Sequence, residues 1–202
     1  ILSRIGRLPP AERSVLQATA VAGSFAPQGM LSAMLDRDVG DDELRLSLRD
    51  GYLVPVRNPH FSGEPEVGIR QQEVANLLVE AMPRTQRTQL HARAARWLMN
   101  WEGPRPAGFG AMLAHHFMYA GDDRNAAQFL IKTAVDAMRA FANRDAYDAY
   151  SAAVNVADEW RKAEPDEPLA LDTLIEALLG RAEVGVHLGE LKEARVAAKR
   201  TE

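Results

Sequence analysis

Three stretches of this chain repeat one arrangement of small residues. "AGDDRNAAQFLIKTA" occupies residues 120–134, "ANRDAYDAYSAAVNVA" residues 142–157 and "LGELKEARVAAKRT" residues 188–201. Each opens on a small turn residue: Gly121, the Ala142–Asn143 pair, then Gly189. Alanine follows at Ala126, Ala146 and Ala194, and another small side chain seven residues later at Thr133, Ala153 and Thr201. Small residues at matched heights let helix axes approach closely while larger side chains fill the gaps above and below. The interval Ala126–Ala146 is 20 residues, one helix plus a turn; Ala146–Ala194 is 48, two helices plus the "KAEPDEP" loop. Stacked antiparallel helices produce such intervals, as in a solenoid. Helices are therefore expected at about 111–120, 123–141, 144–161, 169–188 and from 190 onward.

The first half reads differently. "ILSRIGRL" places Ile1, Leu2, Ile5 and Leu8 on one side of a short helix, which Pro9–Pro10 stops. Pro10 suits the first turn of the next helix, where its missing N–H removes no bond. That helix runs from about 11 to 21 with Val15, Leu16, Thr19 and Ala20 as its inner stripe. Thr19 can hold its hydroxyl against a carbonyl of the preceding turn. Gly23–Ser24 ends it. "APQGMLSAMLD" reads as a second helix, and "DDELRLSLRDG" as a third, capped by Asp41 or Asp42 and stopped at Gly51.

The period then changes. "YLVPVR" (52–57) is short, apolar and β-branched, and Pro55 favours an edge strand. "NPHFSGEP" is dense in turn formers, and "EVGIR" (66–70) returns as the second strand of a hairpin. Helical spacing resumes in "QQEVANLLVEAM" through Val74, Leu77, Leu78 and Met82. After Pro83, "TQRTQLHARAARWLMNW" puts Leu90, Ala94, Trp97 and Trp101 on one stripe. Three helices followed by a hairpin is the order of a winged helix. The Pro/Gly-rich "EGPRPAGFG" (102–110) marks a boundary between a winged-helix domain with trailing helices, residues 1–101, and a helical array, residues 111–202. The fold class is thus mainly α.

Residues 1–100 hold 12 Lys+Arg against 11 Asp+Glu, and residues 101–202 hold 12 against 17. A face dedicated to DNA phosphates would carry a basic excess, so DNA is an unexpected partner. No apolar run reaches the roughly 18 residues that span a bilayer, and a membrane helix is excluded. With no cysteine there is neither a disulfide framework nor a thiolate metal site. That composition fits a reducing, cytoplasmic setting. Opening on Ile1 and stopping within a helical pattern at Glu202, the sequence reads as a piece of a longer protein.

The chain resembles, over about residues 3–198, the region that follows the nucleotide-binding core in bacterial STAND-type signalling ATPases. These include LuxR-type, maltose-regulator-like transcription regulators and multidomain adenylate cyclases. "RLPPAERSVLQATAVAGSFAPQGM" looks like the opening of that family's winged-helix lid, and "LRDGYLVPV … VGIRQQEVANLLVEAMP" like its wing and following helix. "LAHHFMYAGDDRNAAQFLIKTAVDAMRAFANRDAYDAYSAAVNVA" looks like the start of its tetratricopeptide-like helices. The resemblance implies a signalling or transcription-regulating role: a lid on the parent chain's nucleotide-binding domain, and an array that receives a protein or peptide. It also implies that Arg70 and Gln71 face the nucleotide. The family carries histidine where this chain has Gln71, an amide that donates hydrogen bonds without positive charge. Any ATP or ADP would belong to the parent chain, with no cofactor held by these residues.

No residue is assigned to catalysis and none to a metal. His115 and His116 are adjacent, so on a helix they point roughly 100° apart, and neither has a ligating partner four residues away. His60, His91 and His187 form no pattern. The pairs Asp41–Asp42, Asp122–Asp123 and Asp158–Glu159 fall at helix ends or on solvated faces, and capping and the helix dipole account for the first two. No Gly-rich phosphate loop, nucleophile elbow or dinucleotide fingerprint occurs. The alternative is a DNA-binding winged helix with a helical dimerisation or effector tail. It would use Arg45 and Arg49 of the third helix and Arg57 of the wing, against Asp38, Asp41, Asp42, Glu43 and Asp50 nearby. On the array most aromatics read as core, and Tyr119, Tyr147 and Tyr150 are the candidates for a partner groove.

Overall fold

The computed structural model describes residues 8–189, apart from the side chain of Leu46. The first helix expected at 1–8 and the helix expected from 190, with Ala194 and Thr201, lie outside the described residues. Among those that are described the fold is mainly helical: nine helices and one small three-stranded sheet. The chain divides into two compact units that meet between Ala107 and Gly108, inside the Pro/Gly-rich segment.

In the first unit, α1 (Pro10–Ala22) starts on Pro10 and stops at Gly23. Val15, Leu16, Ala18 and Thr19 are buried, and Thr19 donates its hydroxyl to the Val15 carbonyl at 2.8 Å, as its place on the inner stripe led one to expect. Ala20 is only half-buried, because the buried arc turns through Val21 and Ala22 instead. The next helix, α2 (Gln28–Leu35), is shorter than the sequence suggested: Ala26–Pro27 leaves it to form a two-residue strand, β1. Helix α3 (Asp41–Arg49) begins on the Gly40 carbonyl, which accepts from the amides of Glu43 and Leu44. Asp41 and Asp42 therefore sit inside the first turn rather than at its cap, where the dipole still favours their charge.

Strands β2 (Leu53–Pro55) and β3 (Glu66–Ile69) pair antiparallel, and β1 joins the other side of β3, giving the order β1-β3-β2. Pro55 thus lies on an edge strand, which suits a residue without an amide hydrogen. Central β3 buries Glu66, Val67 and Gly68. A Cβ at Gly68 would meet the Ser24 carbonyl oxygen at 2.8 Å, so glycine is what lets the strand pass this loop. Helices α4 (Gln72–Glu80) and α5 (Arg84–Met99) complete the unit, α4 packing on α1 and α5 on both α1 and α2. Leu16, Met30, Leu31, Met34, Val39, Leu53, Phe61 and Leu98 are its fully buried centre. Arg37 ties α1 to α3 by gripping both carboxylate oxygens of Glu43, at 2.6 and 2.8 Å, and donating to Ser14 Oγ and the Ala11 carbonyl.

The second unit is built from α6 (Phe109–Ala120), α7 (Asp123–Arg139), α8 (Asn143–Ala163) and α9 (Pro168–His187). Each packs densely on the one before, and α9 also reaches α7. Such short connections between densely packed neighbours require antiparallel runs. The Asp122 carboxylate caps α7 through the Asn125 amide, and Glu167 caps α9 ahead of Pro168. The small residues lie in the seams: Ala126, Ala134, Ala146, Ala153, Ala157 and Ala177 are fully buried. Thr133 is only partly buried; it lies over Gly110 of α6, where a Cβ would collide with its hydroxyl.

Candidate interaction surfaces

Arg70 and Gln71 follow β3 directly. The Arg70 amide donates to the Tyr52 carbonyl at 3.0 Å, extending the β2–β3 ladder by one bond. Gln71 then turns the chain into α4, its carbonyl accepting from Val74 and Ala75. Its side chain makes no capping bond, and both side chains are exposed. The Arg70 guanidinium lies above Gly51, which holds a left-handed φ of 76° between α3 and β2. Arg70 makes no ion pair among the described residues.

The third-helix arginines are placed otherwise. Arg45 is paired with Asp42 at 2.6 Å and Arg49 with Asp50 at 3.1 Å, all on exposed or half-exposed side chains. Such pairs contribute little to stability, about 0–1 kcal/mol, but they put carboxylates beside the cations that phosphates would have to reach. Arg57 is exposed just beyond β2.

The structure does not gather the three tyrosines into one groove. Tyr119, 59% exposed, ends α6 with its ring 4.6 Å from that of His115. Tyr147 is half-buried in the second turn of α8, with the Arg144 guanidinium 5.7 Å from its ring centroid. Because α6, α7 and α8 alternate in direction, these two rings lie at opposite ends of the array. Tyr150, expected at the groove, is instead 5% exposed, its ring against Gly180 of α9. Burial raises its hydroxyl pKa, and the nearby charges of Glu183 and Glu176 add to that. Three-residue spacing puts Tyr150 on nearly the same face as Tyr147 without saying where the neighbouring helix lies, and α9 covers it.

Two features escaped the sequence reading. Phe141 is 89% exposed and holds φ 59°, the left-handed region that Gly121 and Gly189 occupy after α6 and α9. The left-handed turn residue is thus Phe141, not the Ala142–Asn143 pair. Aligning "AGDD" with "AFAN" would have found it. The second is a buried carboxylate. Glu66 accepts from the amides of His60 and Phe61, at 2.6 and 2.7 Å, and lies 2.8 Å from His60 Nδ1. His60 stacks on Phe25 at 3.9 Å, and Phe61 meets Trp97 and Trp101 edge-on. Only chain closure reveals this, since nothing in the spacing of His60 and Glu66 marks a pair.

The rings of His115 and His116 stand at 84° to each other, and His116 is buried. Among the described residues no group of three His, Asp or Glu side chains could hold a metal ion. Nor is any described helix long and apolar enough to cross a membrane. Comparison with protein-family models, curated proteins and solved structures gives no match for this chain.

Proposed function

We propose that the chain is a non-catalytic regulatory part of a larger signalling ATPase or LuxR-type transcription regulator. Its first unit acts as a winged-helix lid and its second as a tetratricopeptide-like arm for a protein or peptide partner. The order of three helices, hairpin and following helix supports the lid, and the close antiparallel seams support the arm. The observation that carries the reading is the exposed Arg70 guanidinium, which makes no ion pair among the described residues, beside Gln71 at the start of α4. A cation and an amide donor presented together suit phosphate oxygens of a neighbouring nucleotide-binding domain. Arg45 and Arg49, each beside a carboxylate, suit DNA less well. A partner that prefers one lid position would shift the population of the whole molecule by its difference in affinity for the two. No reaction is assigned to these residues.

The test is Arg70→Glu in the full-length parent protein, read by nucleotide affinity and turnover. Weakened nucleotide retention or altered turnover in a normally folded variant is the expected result. Unchanged values for both overturn the lid assignment.

A further inference from the structure

Two aromatic pairs flank the buried ring of Phe61 on the first unit. On one side His60 stacks on Phe25, with ring centroids 3.9 Å apart and an interplanar angle of 10°. On the other, Trp97 and Trp101 stand about one helical turn apart at the end of α5, their centroids separated by 5.2 Å. Phe61 touches both pairs, at 6.4 Å from Phe25, 5.3 Å from Trp97 and 5.1 Å from Trp101. The His60 side chain is 45% exposed, and Phe25, Trp97 and Trp101 are half-buried. The four outer rings are thus held from beneath while each keeps part of its area open.

The two indoles differ in one respect. Trp101 donates its ring N–H to the Pro104 carbonyl at 3.1 Å. Gly103 passes so near that a Cβ there would run into the Trp101 ring. A proline-bearing stretch of the chain itself, residues 103–106, therefore lies on that indole. The ring N–H of Trp97, one turn earlier, makes no hydrogen bond among the described residues.

We propose that these rings bind a proline-rich segment of a partner protein in the polyproline II conformation, with Trp97 donating to one of its carbonyls as Trp101 donates to that of Pro104. This inference is independent of the regulatory reading above. Polyproline II segments are preformed, keep their carbonyls free and dock on aromatic faces. Proline has no N–H of its own, so its carbonyl and ring suit a site that offers a donor beside open rings. At about 3.1 Å per residue, three or four residues of such a segment reach from one ring pair to the other across Phe61. A single-stranded nucleic acid would also stack on these rings. It would need a basic surround for its phosphates, however, and residues 1–100 hold 12 Lys+Arg against 11 Asp+Glu.

The test titrates acetylated octaproline into the full chain, with a glycine–serine octapeptide as control. The protein has three tryptophans, Trp97, Trp101 and Trp160, whose indole N–H resonances report separately by NMR. Octaproline is expected to shift the Trp97 resonance saturably and to leave that of Trp160 in place, while the control shifts neither. Trp97→Phe keeps a ring but removes the N–H, and is expected to bind roughly fivefold more weakly, near the value of one hydrogen bond. Circular dichroism checks that this variant is folded, and the wild-type titration decides the matter even if it is not. A Trp97 resonance that stays in place, an equal shift with the control peptide, or wild-type affinity in folded Trp97→Phe overturns the proposal. A shift with single-stranded oligothymidine but not with octaproline overturns it too, and assigns the rings to nucleic acid.

Discussion

The ring of Tyr150 lies across Gly180, filling the space that any side chain at residue 180 would need. This contact sets how closely α8 and α9 approach, and it explains why a glycine stands in the middle of a 20-residue helix where alanine would otherwise be favoured. Gly180→Ala is expected to destabilise the protein by about 1–3 kcal/mol through overpacking, despite its better helix propensity. Urea unfolding measures it. In a Tyr150→Leu background the same change should cost markedly less, because the two residues share one space. Equal costs in both backgrounds would refute the contact.

Tyr150 also predicts an alkaline limit. Burial first, then Glu183 and Glu176, raise its folded-state pKa above the ordinary tyrosine value of about 10. The unfolded chain releases the proton near that ordinary value while the folded chain keeps it. Its contribution is therefore full below about pH 10 and is lost as pH rises from there through the raised value. Tyr150→Phe, which has no proton to lose, should show a shallower fall in melting temperature above pH 10.

Phe141 is expected to work against stability. A β-carbon at left-handed φ is strained, and an 89% exposed ring has few contacts to offset it. Phe141→Gly should raise stability by about 1 kcal/mol or slightly less, since glycine is also freer in the unfolded chain. Phe141→Ala, which keeps the β-carbon, should bring no such gain. Paired thermal denaturation curves decide it.

The Glu66 carboxylate should hold the β2–β3 connection. Glu66→Leu removes the one oxygen, Oε1, that accepts from the amides of both His60 and Phe61, at an expected cost of about 1–3 kcal/mol. Hydrogen exchange at those two amides should accelerate more than exchange in α8. Uniform acceleration would mean that the clamp is not local.

Duplex DNA gives the last prediction. With Asp42 and Asp50 beside Arg45 and Arg49, the chain should not retard duplex mobility even at low salt. Retardation that weakens steeply with salt, and is lost in Arg45→Ala with Arg49→Ala, would favour the DNA-binding alternative.

Helices were legible wherever apolar residues recurred at helical spacing between punctuating Gly and Pro, and Pro55 alone pointed to an edge strand. The buried seams at Ala126 and Ala146 followed from the repeated text. What the sequence hid depends on partners distant in the chain. Ala26–Pro27 reads as the start of α2 and becomes a strand only because Val67 and Glu66 lie beside it. Tyr150 reads as surface until α9 lies on it. Phe141 escapes because left-handed backbone is expected of glycine or asparagine, not of a bulky ring.

The connection between β2 and β3 is held from two directions. Glu66 grips it at His60 and Phe61, while Glu64 reaches out of it to the Gly29 amide in the first turn of α2, at 2.9 Å. A loop lashed in this way moves with the body of its unit. Whatever meets it encounters a preset contour, spends little entropy on freezing it, and must select that shape rather than mould it.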